Sequence, residues 1–151
     1  MKKVLFVCHG NVCRSVTAEY VFKYLVSLSH QENNFYTESK ATSREEIGND
    51  IYPPMKRVLD MNNIPYQRHY ARQVVPSDYN DFDLIFVMDE ENMYGIKRII
   101  PFDKDKKIYR LKDYVGENGD IEDPWYSGRY QGVYEEIKRC VTKLLEMLQG
   151  D

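Results

Sequence analysis

Short runs of apolar residues recur along the chain, and stretches with helical spacing separate them. The clearest run is Asp83–Asp89, in which five apolar residues lie between two acids. Val4–Cys8 is a second such run. Apolar runs without polar alternation are typical of strands that are buried on both faces of a parallel sheet. Weaker strand patterns cover Phe35–Ala41, His69–Gln73 and Ile108–Leu111.

Longer segments have apolar residues every three or four positions and are predicted to be helices. In Val16–Leu28 the apolar residues fall on one face, whereas Glu19, Lys23 and Ser27 lie on the face predicted to meet solvent. Asp50 is a candidate N-cap for the next helix. The other helices are predicted over Ile51–Met61, Glu90–Arg98 and Tyr130–Gln149, and a loop over Val115–Gly128.

The alternation of strands and helices predicts an α/β fold, with a parallel sheet covered by helices on both sides. Ligands of such sheets bind beyond the carboxyl ends of the strands, where the strand order reverses. Cys8 lies at the end of the first predicted strand. A length of 151 residues predicts a single domain over residues 1–151.

The composition excludes several classes of protein. Apolar residues make up 42% of the chain and charged residues 30%, which is typical of a soluble globular protein. A net charge of −3 gives no basic surface for nucleic acid or an anionic membrane. The first apolar run is too short for a signal peptide. Three cysteines, an odd number, argue against a disulfide framework, so we expect a cytoplasmic protein.

The most informative segment follows the first strand and reads Cys8-His9-Gly10-Asn11-Val12-Cys13-Arg14-Ser15. A thiol at the start of a helix faces backbone N–H groups that gather an oxyanion and favour thiolate over thiol. Arg14 can bind two phosphate oxygens with parallel N–H bonds. Gly10 and Asn11 tolerate the positive φ that turns N–H groups inward. Ser15 can cap the helix or hydrogen-bond the Cys8 sulfur. The segment therefore predicts phosphoryl transfer to a cysteine.

Displacement at a phosphate ester also needs a proton for the leaving group. Asp123 is the best candidate for this donor, because it precedes Pro124 and is therefore extended or in a turn. The aromatic rings of Trp125 and Tyr126 can line the side of a pocket for a flat substrate. His9 is expected at the rim of the same pocket.

The sequence resembles the low-molecular-weight protein tyrosine phosphatases over nearly its whole length. The matching segments are Cys8–Ser15, Ser39, His69–Gln73, Met88–Asn92 and Asp123–Pro124. The cysteine-to-arginine spacing occurs in unrelated phosphatases, whereas its combination with a late Asp-Pro is far more specific. The resemblance implies a three-layer αβα fold with a central four-stranded parallel sheet. This sheet is doubly wound and flavodoxin-like, with the phosphate-binding loop after the first strand.

The resemblance also implies roles for individual residues. Cys8 would be the nucleophile, Arg14 would bind phosphate, and Asp123 would act as general acid and then as base. The phosphate-binding loop would comprise His9, Gly10, Asn11, Val12, Cys13, Arg14 and Ser15. Cys13 matches a thiol that forms a reversible disulfide with the nucleophile under oxidants. The residues that match a network supporting the loop are Asn11, Ser15, Ser39 and His69, with Asp89 nearby.

Two positions depart from the family pattern. Val16 replaces a proline that is usual after the loop serine, which removes a preset φ but no catalytic group. Lys40 replaces a small residue that usually follows the serine matching Ser39.

Several of these residues have a simpler alternative. Asp89 can be an N-cap, Trp125 and Tyr126 can be packing residues, and Cys13 can be inert. Cys8 and Cys13 have no second ligand pair at suitable spacing, so we expect no metal, and no other cofactor is expected. Cys140 lies on the apolar face of the last helix and is predicted to be in the core.

Three rival functions are less consistent with the sequence. Arsenate reductases of this scaffold need a further cysteine near the strand that matches Asp83–Met88, and Phe82–Glu91 contains none. Phosphoarginine phosphatases of the family have threonine at the position of Val12 and small residues after Asp-Pro. A phosphate-binding module without catalysis would not need the cysteine, arginine and aspartate together.

The primary hypothesis is metal-independent hydrolysis of protein phosphotyrosine and aryl phosphates through a cysteinyl-phosphate intermediate. The expected partner is a phosphotyrosine-containing protein, and the expected inhibitors are inorganic phosphate and other oxyanions. We expect a cytoplasmic monomer that binds neither nucleic acid nor membranes.

Overall fold

The computed structural model describes residues 1–150, which contain a sheet of four parallel strands. The strands are β1 (Lys2–Cys8), β2 (Phe35–Ala41), β3 (Leu84–Val87) and β4 (Ile108–Arg110). Their order is β2-β1-β3-β4, and every pairing is parallel. The chain runs from β1 outward to β2 and then returns to the other side of β1. The switch point of the sheet is therefore at the carboxyl end of β1, where Cys8 lies.

Helices cover both faces of this sheet. They are α1 (Arg14–Leu28), α2 (Pro53–Met61), α3 (Asp78–Asp81), α4 (Glu90–Ile99), α5 (Leu111–Tyr114), α6 (Pro124–Ser127) and α7 (Tyr130–Gln149). Successive side chains of a strand point to opposite faces. Val4 and Phe6 accordingly pack with α1, α2 and α7, whereas Leu5 and Val7 pack on the side of α4. The predicted three-layer, doubly wound fold with four parallel strands is confirmed.

The prediction of a short strand over His69–Gln73 is wrong. Gln73 alone pairs with the sheet, through a single bridge to Ala41. The start of the segment is held by a side chain instead, because the N–H of His69 donates to the carboxylate of Asp50 (2.9 Å). A contact between residues so far apart in the chain leaves no local pattern in the sequence.

The prediction that Asp50 caps α2 is also wrong. The N-cap is Tyr52, and its side chain makes no capping hydrogen bond. Asp50 instead accepts a hydrogen bond from the N–H of Ile51 (2.7 Å) and pairs with Lys56. Although burial opposes it, hydrogen bonds from Lys56, His69 and Ile51 lower the pKa of Asp50 to about 2. This carboxylate therefore joins the start of α2 to the His69 segment.

The loop predicted over Val115–Gly128 contains the one-turn helix α6. Helices α3 and α5 are equally short and were not predicted, because a four-residue helix is too short to show helical periodicity. Within residues 1–150, no helix combines the length and apolar character needed to cross a membrane.

Candidate active site

The loop between β1 and α1 folds around the sulfur of Cys8. The side chain is almost fully buried, with 3% of the residue exposed. The backbone N–H groups of Asn11 and Ser15 donate to the sulfur at 3.3 and 3.4 Å. The hydroxyl of Ser15 lies 3.1 Å from the same sulfur. Three hydrogen-bonding groups therefore converge on this atom at the positive end of α1.

Asn11 holds the loop in this shape. Its φ of 62° is in the left-handed region, which asparagine tolerates better than most residues. Its buried side-chain amide donates two hydrogen bonds, to the hydroxyl oxygens of Ser15 (2.8 Å) and Ser39 (2.9 Å). Its carbonyl groups accept from the ring Nε2 of His69, at 2.7 Å for the backbone oxygen and 3.0 Å for the side-chain oxygen. Both sides of the amide are thus satisfied by residues from other elements.

A buried carboxylate sets the direction of these hydrogen bonds. The hydroxyl of Ser39 donates to Glu19 (2.6 Å), because a carboxylate can only accept. The oxygen of Ser39 is then free to accept from Asn11, and Asn11 donates its other amide hydrogen to Ser15. The hydroxyl hydrogen of Ser15 is therefore available to the sulfur of Cys8. In the thiolate form of Cys8, this hydroxyl can donate to the sulfur.

The prediction that Glu19 lies on the solvent face of α1 is wrong. It is buried, with 7% of the residue exposed, and it also pairs with Lys23. Helical spacing assigns a polar side chain to the outer face unless a polar partner is known, and the partner Ser39 lies on β2.

Arg14 joins three separate segments of the chain. The guanidinium is buried, and its Nη1 donates to Asp89 (2.6 Å) and to the carbonyl of Ile121 (2.9 Å). Its Nη2 lies 3.6 Å from the carboxylate of Asp123. Although burial opposes it, the negative groups on Cys8 and Asp89 raise the pKa of Arg14. A fixed positive charge therefore lies beside the sulfur.

Asp89 performs both of the roles considered for it. One carboxylate oxygen accepts from Arg14, and the other accepts from the N–H of Asn92 at the start of α4 (2.7 Å). Each oxygen has its own partner, so capping the helix and holding the arginine do not compete.

Asp123 lies at the start of α6, where Pro124 is the first helical residue. Its Oδ1 accepts a hydrogen bond from the N–H of Trp125 (3.0 Å). Its carboxylate faces a cavity of about 300 Å³ that the loop and two aromatic residues also line. The lining residues are Cys8, His9, Gly10, Asn11, Val12, Cys13, Arg14, Glu45, Glu46, Asp123, Trp125 and Tyr126.

A family model described as low molecular weight phosphotyrosine protein phosphatase matches residues 3–151. The chain belongs to this family. A phosphatase of Gallus gallus with the same description is 41% identical over 97% of this chain and 95% of its own length. The low molecular weight protein-tyrosine-phosphatase YfkJ of Bacillus subtilis is 35% identical, covering 100% of this chain and 98% of its own.

Solved structures of the family match the whole fold of this phosphatase. The crystal structure of YfkJ has a TM-score of 0.94 and 35% identity, covering 99% of this chain and 96% of that one. The structure of SP-PTP from Streptococcus pyogenes has a TM-score of 0.88 and 34% identity, covering 98% and 93%. The predicted family and enzyme class, a protein tyrosine phosphatase, are confirmed. The rival hypotheses of an arsenate reductase or a phosphoarginine phosphatase are not favoured.

The three cysteines of this phosphatase lie in different surroundings, and all are free thiols. Cys13 lines the cavity with Cys8, and burial, followed by the negative charge of Cys8, raises the pKa of Cys13. Burial also raises the pKa of Cys140, to about 11, and this residue lies in the core. Among residues 1–150, no group of three or more His, Cys, Asp or Glu side chains is arranged to hold a metal ion.

Three residues near the cavity were not predicted from the sequence. Glu45 and Glu46 lie on the rim, and Glu45 is 3.0 Å from the ring Nε2 of His9. The ring of Tyr52 contacts Trp125 edge-on, with 5.2 Å between ring centroids. These residues come from the segment between β2 and α2, which has no recognisable motif, so no local pattern points to them.

We predict that Asn11→Asp lowers the free energy of unfolding by about 3 kcal/mol, because a carboxylate cannot donate to the two buried hydroxyls and adds a buried charge. Chemical denaturation measures this change. Asn118→Asp is the matched control, since Asn118 has the same φ of 62° but is exposed. Equal stability of the two variants would contradict the role given to the Asn11 amide.

Proposed function

We propose that this phosphatase hydrolyses phosphotyrosine in proteins, and aryl phosphates, through a phosphorylated cysteine and without a metal ion. The observation that carries the proposal is the convergence of three groups in one cavity. The sulfur of Cys8 is surrounded by hydrogen-bonding groups, Arg14 supplies a positive charge, and the carboxylate of Asp123 lines the same cavity 3.6 Å from Arg14.

Arg14 and the loop would bind the phosphate group. The Nη1 of Arg14 is engaged by Asp89 and Ile121, so the Nε and Nη2 edge is the one that can bind two phosphate oxygens in parallel. Backbone N–H groups of the loop from His9 to Ser15 would bind the remaining oxygens at the start of α1. Inorganic phosphate would compete with the substrate for the same groups, so it would act as an inhibitor.

The first chemical step would transfer the phosphoryl group to the enzyme. The thiolate of Cys8 attacks phosphorus, a sulfur–phosphorus bond forms, and the bond from phosphorus to the tyrosine oxygen breaks. Asp123, protonated in the substrate complex, gives its proton to the leaving oxygen. Tyrosine leaves as a neutral phenol.

The second step would release phosphate. A water molecule attacks the phosphorus of the cysteinyl phosphate, and Asp123, now a carboxylate, takes a proton from that water. The sulfur–phosphorus bond breaks, and the thiolate of Cys8 is restored. The hydrogen bonds from Asn11 and Ser15 stabilise the leaving sulfur in this step.

The mouth of the cavity supports an aromatic substrate. Trp125 and Tyr126 are exposed at 61% and 86%, although both line the cavity. Large aromatic rings at a cavity mouth can pack on the phenyl ring of phosphotyrosine. The peptide substrate therefore would bind across this rim while its phosphate reaches the loop.

We further propose that residues 1–151 act as a single domain and as a monomer, in a cytoplasm that keeps the three buried thiols reduced. Cys13 would protect Cys8 from oxidation. Peroxide converts the Cys8 thiolate to a sulfenic acid, and the Cys13 thiol then attacks that sulfur, releasing water and forming a disulfide. Burial raises the pKa of Cys13 and keeps it a thiol, so Cys8 would be the residue that peroxide oxidises first.

We predict that Cys8→Ser lowers kcat by roughly 10⁴- to 10⁶-fold, because a serine hydroxyl is not ionised where a thiolate would be. Turnover of p-nitrophenyl phosphate in the presence of a metal chelator measures the loss. Acid-quenched wild-type enzyme should carry a phosphoryl group on Cys8 by mass spectrometry. Cys140→Ala serves as the control for loss of a remote thiol. Wild-type turnover by the serine variant would overturn the proposal.

We predict that Asp123→Asn lowers kcat by roughly 10²- to 10⁴-fold with little change in KM, because the amide can still cap α6 but cannot transfer a proton. In single turnovers the deficit should be smaller for p-nitrophenyl phosphate than for phenyl phosphate, whose leaving group needs the proton more. Glu122→Gln, next in the chain, is the control for charge. An equal deficit for both substrates would remove the acid role.

We predict that peroxide inactivates the wild type in a way that dithiothreitol reverses, whereas the Cys13→Ser variant does not recover because its Cys8 is oxidised further. Peptide mapping should find a Cys8–Cys13 disulfide in the inactive wild type. Full recovery of Cys13→Ser, or the absence of that disulfide, would exclude the protective role.

A further inference from the structure

We infer that Tyr52 is a positioning residue that joins the phosphate loop to the loop carrying Asp123. The inference rests on the proposed acid role of Asp123. Tyr52 does not line the cavity, so it would act through Trp125 rather than by touching substrate.

The backbone of Tyr52 is fixed to both the phosphate loop and α2. Its N–H donates to the carbonyl of Val12, in the middle of the phosphate loop (2.9 Å). Its carbonyl accepts from the N–H groups of Met55 (2.9 Å) and Lys56 (3.1 Å), at the start of α2. Pro53 follows it and restricts its backbone to an extended conformation, with ψ of 132°. The ring of Tyr52 is therefore attached to a rigid base.

The ring of Tyr52 contacts the acid-bearing loop. It meets the ring of Trp125 edge-on, at a centroid distance of 5.2 Å and an angle of 60°. It also lies 6.1 Å from the ring of Tyr130, at the start of α7. The N–H of Trp125 in turn donates to the carboxylate of Asp123 (3.0 Å). A continuous path of contacts thus connects Val12 to Asp123, residues that are far apart in the chain.

Helix α6 needs such an external contact. It spans four residues and is followed by Gly128, which has a φ of 74°. One turn of helix has almost no stability of its own in water. Pro124 is the one buried residue of α6, and the mostly exposed ring of Trp125 contacts Tyr52, so this contact is one of the restraints on the tilt of α6. A tilt would move the carboxylate of Asp123 relative to the sulfur of Cys8, and proton transfer is sensitive to such displacements.

The test measures the rate of phosphoryl transfer to Cys8 in single turnovers, with phenyl phosphate and with p-nitrophenyl phosphate. Tyr52→Leu removes the ring and keeps apolar bulk. We expect it to slow transfer from phenyl phosphate roughly three- to tenfold more than transfer from p-nitrophenyl phosphate. A factor of this size corresponds to the free energy of one edge-on aromatic contact. The ratio of two rates from one preparation is independent of the fraction of folded enzyme, so a loss of stability cannot imitate the effect.

Three comparisons make the result specific. Tyr52→Phe retains the ring and should have the same ratio of the two transfer rates as the wild type. Tyr109→Leu breaks another edge-on contact, with Tyr114 at 4.9 Å, away from the cavity, and should leave the ratio unchanged. In the Asp123→Asn background, Tyr52→Leu should cause no further change in the ratio, because two residues that act through one group are not additive.

The outcomes separate this inference from the proposed function. If Asp123→Asn changes the substrate ratio but Tyr52→Leu slows both substrates equally, Tyr52 has no positioning role and the acid role stands. If Tyr52→Leu changes the ratio as much in the Asp123→Asn background as in the wild type, its effect does not pass through the acid. If the wild type transfers no phosphoryl group to Cys8, both the proposed function and the inference fail.

Discussion

The site depends on one interaction, the hydrogen bonding of the buried Cys8 sulfur by groups at the start of α1. Two backbone N–H groups and one hydroxyl surround this atom, and the direction of the hydroxyl bond follows from a carboxylate three steps away, at Glu19. The donors that favour a negative sulfur are close to those that would bind the oxygens of a phosphate. A nucleophile and an anion site can therefore share one loop, although the thiolate and the bound phosphate are both negatively charged.

The topology of the sheet explains why this loop meets an acid from the far end of the chain. The strand order reverses beside β1, which opens a crevice at its carboxyl end. Arg14 lies in that crevice and joins its two sides, because it binds Asp89 after β3 and the carbonyl of Ile121 before α6. The same guanidinium thus holds three segments together and presents a charge to the cavity. Loss of the arginine would loosen the loop that carries Asp123 as well as remove the proposed phosphate ligand.

Much of this arrangement could be predicted from the sequence, because the chemistry of the loop is encoded in eight consecutive residues and the strands are uninterrupted apolar runs. The position of Asp123 at the cavity was predictable from its local Asp-Pro context. Helices α3 and α5 were missed because they are too short to show periodicity, whereas the failures at Glu19 and Asp50 share another cause, a partner distant in the chain. Glu19 is buried because Ser39 lies on β2, and Asp50 binds the His69 segment instead of capping α2. Tyr52 carries no local signal, since its importance depends on Val12 and Trp125.

The most direct test of the central claim is the rate at which iodoacetamide alkylates each cysteine at neutral pH while inorganic phosphate is added. Cys8 should react far faster than Cys13 and Cys140, whose buried thiols have raised pKa values, and phosphate should slow its alkylation in a saturable way. If Cys8 reacts no faster than the other two, or if phosphate does not protect it, the thiolate and the anion site do not share this loop.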